Sequence, residues 1–241
     1  MAIYKRQYTI LCFGDLHSPY QHPDAIDFLK AIKEKYEPDR IINMGDELDN
    51  HAINLHMRDP DLPNHKHELD KARDFCQKLY HLFPVMEILD SNHGSLAIRV
   101  GKKAGLSSEV IRSPNEILQI PNGWTWHESI EFSYANTEGD ALKLHFRHQL
   151  KANYLSVGQR FGCCFIQAHY HTKLGVQYFQ TPYGLRFAIS TGCLIDNDSI
   201  AFVYNKANLE MPALGAAIII GGTPNIQPMW LDKSNRWTGK L

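Results

Sequence analysis

Aspartate, asparagine and histidine recur in five short blocks, each directly after a stretch with the residue pattern of a β-strand. The blocks are Gly14-Asp15-Leu16-His17, Gly45-Asp46-Glu47-Leu48-Asp49-Asn50, Ser91-Asn92-His93-Gly94, His148, and Ala168-His169-Tyr170-His171. In α/β proteins the crevice beyond the carboxyl ends of strands brings together side chains that are distant in sequence. The pattern therefore predicts one polar site with seven candidate metal ligands: Asp15, His17, Asp46, Asn92, His148, His169 and His171.

Seven oxygen and nitrogen donors are too many for one tetrahedral ion, and they suit two adjacent divalent ions that share a carboxylate. Imidazole and carboxylate ligands without thiolate favour Mn²⁺ first, with Fe, Zn²⁺, Co²⁺ or Ni²⁺ as alternatives. Two such ions roughly 3.5–4 Å apart clamp a phosphoryl group and turn water into hydroxide near neutral pH. They would also compensate the charge of Asp15, which follows an apolar strand.

The elements that would position these blocks are those of an α/β protein. Apolar periodicity predicts strands at 8–13, 40–44 and 85–89, helices at 23–36, 68–82, 95–104, 107–112 and 151–160, and mainly antiparallel strands after residue 124. No composition shift or linker divides the chain, so we expect a single domain over residues 1–241.

Composition narrows the function classes. Lys plus Arg number 25 against 26 Asp plus Glu, so no global charge draws the chain to nucleic acid or to an anionic membrane. The five cysteines show no C-x-x-C spacing, which argues against a zinc–thiolate site or a disulfide framework. No apolar run approaches the roughly 18 residues of a membrane span. We therefore expect a cytoplasmic protein without a membrane partner.

In their order, the five blocks resemble the D-x-H, G-D-x-x-D, G-N-H-D/E, H and G-H-x-H motifs of the calcineurin-like metallophosphoesterases. They span residues 14–172 and look most similar to phosphoesterases of phage and bacterial genomes, so the cytoplasm would be that of the host for a phage protein. The resemblance implies a four-layer αββα sandwich. It assigns one ion to Asp15, His17, Asp46 and His171, and the other to Asp46, Asn92, His148 and His169.

The same resemblance implies that His93 faces the leaving-group oxygen without binding a metal, and that Asp49 orients His93. Ser91 and Gly94 depart from the usual glycine and acidic residue of this motif, and Asn50 stands where protein Ser/Thr phosphatases carry an arginine. His145 is the alternative to His148 in the fourth block. The candidates for substrate contact are Asn50, His51 and Arg99, and a solvated helix residue is an equal alternative for Arg99.

We therefore expect a phosphodiesterase acting on nucleotides or nucleic acid, in which a metal-bridging hydroxide attacks phosphorus. A phosphomonoesterase acting on proteins or small molecules is the second hypothesis. A non-catalytic scaffold with the same fold is the third, and the complete set of candidate ligands argues against it. The sequence leaves the oligomeric state open, including a homo-oligomer.

Overall fold

The computed structural model describes residues 7–54, 61–135, 141–199 and 211–241. Their strands form two mixed β-sheets. The first sheet has the order β11-β10-β1-β2-β3-β4 and consists of β1 (Thr9–Phe13), β2 (Arg40–Asn43), β3 (Met86–Leu89), β4 (Trp124–His127), β10 (Gly215–Ile220) and β11 (Thr223–Pro228). The second has the order β5-β6-β7-β9-β8 and consists of β5 (Ile130–Ala135), β6 (Ala141–Phe146), β7 (Cys164–Gln167), β8 (Leu174–Thr181) and β9 (Gly184–Thr191).

The α-helices connect and cover these sheets. They are α1 (Ala25–Tyr36), α2 (His65–Leu82), α3 (Leu96–Lys103), α4 (Pro114–Leu118) and α5 (Tyr154–Phe161), with short 3₁₀ turns at His51–Ile53 and Ser108–Val110. Local signals explain several of their starts: the Asn64 side chain caps α2, and Ser113 and Glu116 form a capping box at α4. Helix α1 buries Phe28, Leu29 and Ile32 at helical spacing.

The core is layered in a way that confirms the predicted four-layer sandwich. One buried cluster fills the space between the sheets, with Ile10, Cys12 and Ile42 from the first sheet and Phe146 and Ile166 from the second. A second cluster joins the outer face of the first sheet to α1 and α2, and a third joins α5 to the outer face of the second sheet. The layers are therefore helix, sheet, sheet, helix.

Parallel pairing places the carboxyl ends of several strands at one edge of the sandwich. Strand β1 runs parallel to β2, β2 to β3, and β6 to β7. Each of these five strands is followed by one of the polar blocks. The fold therefore gathers the blocks at the mouth between the two sheets.

The strand pairing of the second half differs from the sequence-based prediction. The pairs β6–β7 and β7–β9 are parallel rather than antiparallel. Helix α5 connects β6 to β7, and β8, which is antiparallel to β9, lies between β7 and β9 in the chain. Strand β4 was not among the predicted strands, and it pairs in parallel with β3 rather than with an antiparallel neighbour. The predicted helix at 107–112 is a 3₁₀ turn over Ser108–Val110. No helix among the described residues is long and apolar enough to cross a membrane.

Candidate metal centre

Asp15, His17, Asp46 and His171 form the first half of the centre. The Nε2 atoms of His17 and His171 are 3.2 Å apart, and Asp15 Oδ1 lies 3.3 Å from the Nε2 of His171 and 3.9 Å from that of His17. Asp46 Oδ2 is 3.6 Å from His17 Nε2. Both carboxylates are fully buried. Four donor atoms from the ends of β1, β2 and β7 thus surround one small volume.

The second half of the centre shares Asp46 with the first. Its Oδ2 atom lies 3.2 Å from His148 Nε2, which is 2.9 Å from Asn92 Oδ1. The donor atoms of Asp46, His148 and His169 lie within 4.8 Å of one another. One carboxylate oxygen therefore stands between two groups of donors, as in a bridging ligand.

These donors fit divalent ions by their distances from one another and by two carboxylate oxygens that lack a hydrogen bond within the described residues. Ligands held at about 2.1 Å from one ion lie roughly 3.0–3.5 Å from each other in octahedral or tetrahedral geometry, close to the observed separations. Asp15 Oδ1 and Asp46 Oδ2 are buried and accept no hydrogen bond from any residue in the described part of the chain. Buried carboxylate oxygens are rarely left unsatisfied, and a bound cation would satisfy both of them.

The backbone of the candidate ligands is strained. Asp15, His17, Asp46 and His169 have φ values of 50°, 49°, 54° and 68°, in the left-handed region that residues other than glycine seldom adopt. Backbone hydrogen bonds hold the first two in place: Asp15 N–H donates to the Gly45 carbonyl, and His17 N–H donates to the Asp46 carbonyl. Such conformations cost about 1–3 kcal/mol each and concentrate at functional sites.

Gly45 allows the two halves to approach each other. Its φ is 102°, and a Cβ atom at this position would lie 2.9 Å from His148 Nδ1 and 2.7 Å from the Ser91 Cβ. A larger residue would therefore displace His148. The glycine that precedes Asp46 in the sequence is explained by this close approach.

Charges within the cluster compensate one another. Burial alone would raise the pKa of the Asp15 carboxyl, but the imidazoles of His17 and His171 hold it below its usual range. Burial opposes ionisation of Asp46 as well, and His148 holds its pKa well below the usual range. Conversely, burial lowers the pKa of His148, but Asp46 outweighs burial and raises it to about 9. The carboxylates are therefore ionised and require positive charge nearby.

Hydrogen bonds to the far ring nitrogens orient two of the imidazoles. His148 Nδ1–H donates to the Met44 carbonyl at 2.8 Å, and His17 Nδ1–H donates to Asp49 Oδ1 at 2.7 Å. In their neutral forms both rings would present the Nε2 lone pair to the shared volume, which is the arrangement seen for metal-binding histidines. Asp49 is itself almost completely buried.

We expect the Asp49→Ala variant to bind Mn²⁺ roughly 10- to 100-fold more weakly than the wild type, because His17 loses the carboxylate that fixes its tautomer and ring orientation. Asp49→Asn should lose less, since its amide oxygen can still accept from Nδ1–H. Calorimetric titration of the metal-stripped proteins with Mn²⁺ measures both affinities. Equal affinities for Asp49→Ala and the wild type would contradict this role.

His93 lies beside the cluster and is held by its backbone. Its N–H donates to Asp46 Oδ1 at 3.0 Å, its carbonyl accepts from the Asn50 side chain at 2.9 Å, and its Nδ1–H donates to the Asp49 carbonyl at 2.5 Å. Burial lowers the pKa of His93, and the positive charge of His17 lowers it further. Nε2 is then the nitrogen left for proton exchange with a bound molecule.

The contacts of Asp49 differ from those implied by the family resemblance. Its carboxylate Oδ1 is 2.7 Å from His17 Nδ1 but 3.4 Å from His93 Nδ1. The carbonyl oxygen of Asp49, rather than its carboxylate, accepts the hydrogen bond from His93. Asp49 therefore contacts both histidines, each through a different group.

The predicted substrate-contact residues lie around this centre in different settings. Asn50 uses its amide to bind the His93 carbonyl, and His51 Nδ1 is 3.6 Å from Asp49 Oδ2. Arg99 is exposed and donates from Nη2 to the Asn92 carbonyl at 2.5 Å. His145, the alternative to His148, stacks on Phe161 and lies 3.1 Å from Glu131, so it does not join the cluster.

Sequence reasoning did not identify three residues that support the site. Ser91 Oγ accepts hydrogen bonds from the N–H groups of Asp46 and Gly94, so its departure from glycine has a structural function. A Cβ atom on Gly94 would lie 2.8 Å from this Oγ, which explains why no larger residue follows His93. Glu68 of α2 accepts from the N–H groups of His51 and Ala52. Only the position of Ser91 beside a predicted ligand could have indicated any of these.

Comparison with known proteins adds distant structural likenesses. No family model and no curated protein matches the sequence. Vps29 from Chaetomium thermophilum with a bound cyclic peptide is similar at a TM-score of 0.48 and 11% identity, covering 96% of this chain and 92% of that one. The Pseudomonas putida nuclease MPE has a TM-score of 0.34 and 14% identity, over 91% and 86% of the two chains. A Mycoplasma pneumoniae phosphatase has a TM-score of 0.34 and 13% identity, covering 92% of this chain and 94% of that one.

Proposed function

We propose that this chain is a dinuclear metal-dependent phosphoesterase that prefers phosphodiesters of nucleotides or nucleic acid. The observation that carries the proposal is the position of Asp46 Oδ2, which is buried, accepts no hydrogen bond from the residues that the structure describes, and lies 3.6 Å from His17 Nε2 and 3.2 Å from His148 Nε2. A carboxylate oxygen between two groups of donors suits a pair of divalent ions, of which Mn²⁺ is our first choice.

Two divalent ions in these positions would supply a Lewis acid for the phosphoryl oxygens and a water of lowered pKa as nucleophile. The chain contributes the geometry: Asp15, His17 and His171 on one side of Asp46, and Asn92, His148 and His169 on the other. His93 is held by Asp49 and Asp46 with Nε2 available to protonate the leaving oxygen. No covalent intermediate with the chain is needed.

Two features support a diester over a monoester. Position 50 offers an amide that is already bound to the His93 carbonyl, so it provides no cationic side chain for the second negative charge of a monoester. In addition, an open cleft of about 370 Å³ begins at Asn92 and His148 and gives room for the second esterified group. Asn50, His51 and Arg99 remain the proposed contacts to substrate.

The test is to strip the protein with chelator, reload it with Mn²⁺, and compare hydrolysis of bis(p-nitrophenyl) phosphate and p-nitrophenyl phosphate. We expect metal-dependent cleavage of the diester at least about tenfold faster than the monoester, while the stripped protein is inactive. Faster cleavage of the monoester would indicate a phosphomonoesterase. Stoichiometric metal binding without cleavage of either ester would indicate a scaffold.

A further inference from the structure

The cleft beside the candidate metal centre presents two arginines, Arg99 and Arg147, together with two acidic side chains, Asp90 and Glu128. It is open to solvent, and Asn92 and His148 are also among the residues that line it. These last two residues are candidate metal ligands. The cleft therefore continues directly from the metal centre into the mouth between the two sheets.

Each arginine of this cleft lies next to one of these candidate ligands: Arg99 is hydrogen-bonded to Asn92, and Arg147 precedes His148 in the chain. Arg99 of α3 reaches back to the Asn92 carbonyl, an uncharged acceptor that leaves the guanidinium charge uncompensated by this bond. Arg147 follows β6 and immediately precedes His148 in the chain, and its N–H donates to the Ile166 carbonyl of β7. Arg99 is thus held through its guanidinium group and Arg147 through its backbone, both next to the candidate metal ligands.

Arg147 is paired in a way that an incoming anion can replace. Its Nη2 is 2.7 Å from Glu128 Oε1, but the side chains are 35% and 77% exposed. Exposed ion pairs of this kind contribute at most about 1 kcal/mol. Arginine can bind phosphate through two parallel hydrogen bonds, and the contact between Arg147 Nη2 and Glu128 occupies only one N–H donor of the guanidinium group.

We infer that Arg147, with Arg99, binds a second phosphate of a nucleic-acid strand whose scissile phosphate lies at the metal centre. The inference rests on the proposed function and narrows its substrate class from isolated diesters to strands with neighbouring phosphates. The position of the arginines beyond Asn92 and His148 suits a group outside the reacting phosphate. Arg147 is then a specificity-determining residue, which neither the sequence pattern nor the family resemblance indicated.

The experiment uses the Mn²⁺-loaded protein and three substrates: the thymidine dinucleotide d(TpT) and its 5′- and 3′-phosphorylated forms. At least one phosphorylated dimer should show a kcat/KM roughly tenfold or more above d(TpT), because a phosphate–arginine contact is charge-assisted. In Arg147→Gln this ratio should fall to about one. Arg160→Gln, at an exposed arginine of α5, is the matched control and should keep the wild-type ratio.

Glu128→Gln should change the preference for the phosphorylated dimer in the direction opposite to Arg147→Gln. If Glu128 competes with phosphate for Arg147, its neutral variant should increase the preference for the phosphorylated dimer by up to about fivefold. If Arg147 and Glu128 only stabilise the fold together, both variants should instead change all three substrates by the same factor. That result, or a preference that survives Arg147→Gln, would overturn the inference.

A binding measurement separates this inference from the proposed function. Calorimetry with Mn²⁺-loaded His93→Ala should show roughly tenfold tighter binding of thymidine 3′,5′-bisphosphate than of a thymidine monophosphate, and the added Arg147→Gln change should abolish the difference. Arg147-dependent binding without hydrolysis of any dimer by the wild type would refute the proposed function alone. Hydrolysis of all dimers at equal rates, with equal binding of both nucleotides, would refute this inference alone.

Discussion

Replacing Asp46 with asparagine is expected to remove both metal ions and to lower phosphodiester hydrolysis at least about 10³-fold. The reason is that the two carboxylate oxygens of Asp46 have different functions. Its Oδ2 faces His17 and His148 at 3.6 and 3.2 Å, and its Oδ1 accepts from the His93 N–H. Asparagine offers one oxygen, without charge, and its amide N–H₂ cannot bind a cation. Either orientation of the amide therefore loses one of these two functions.

Metal analysis of purified Asp46→Asn after exposure to Mn²⁺ and removal of free ions measures the first effect, and bis(p-nitrophenyl) phosphate hydrolysis measures the second. The control is Asp27→Asn, at an exposed aspartate of α1, which should keep two ions per chain. Circular dichroism confirms that Asp46→Asn folds. Two tightly bound ions in the folded variant would show that Asp46 is not a bridging ligand.

The layered fold follows from patterns that the sequence displays locally. Strands β1, β2 and β3 are short, apolar and followed by polar blocks, and α1 and α2 have apolar stripes at helical spacing. What the sequence does not display is the pairing of the second sheet. Whether β6 and β7 pair in parallel depends on the crossover through α5, which is a three-dimensional property.

The candidate ligands could be predicted because each one follows a strand, so the edge of a sheet brings them together. The groups that orient them could not. His148 is fixed by the Met44 carbonyl and His93 by the Asp49 carbonyl, and a backbone oxygen leaves no residue signature. Ser91 and Glu68 accept hydrogen bonds from backbone N–H groups, and any other acceptor at the right distance could make the same bonds. Arg147 looks like an ordinary surface cation until the cleft beside it is visible.

His93→Ala is expected to keep both metal ions and to lower turnover roughly 10²- to 10⁴-fold, the range of a general acid. The side chain contributes no atom to the two groups of donors around Asp46, and its backbone N–H, which donates to Asp46, remains in the variant. Metal content should thus be unchanged. The loss should appear in kcat, because protonation of the leaving oxygen is needed only as the ester bond breaks.

The leaving group provides the sharper measurement. Nitrophenolate is a weak base that departs with little help, whereas the alkoxide of d(TpT) needs a proton. His93→Ala should therefore affect d(TpT) at least about tenfold more than bis(p-nitrophenyl) phosphate. His81→Ala, at an exposed histidine of α2, is the control and should match the wild type on both substrates. Equal losses on both substrates would exclude proton donation by His93, and an unchanged rate would exclude it from the reaction altogether.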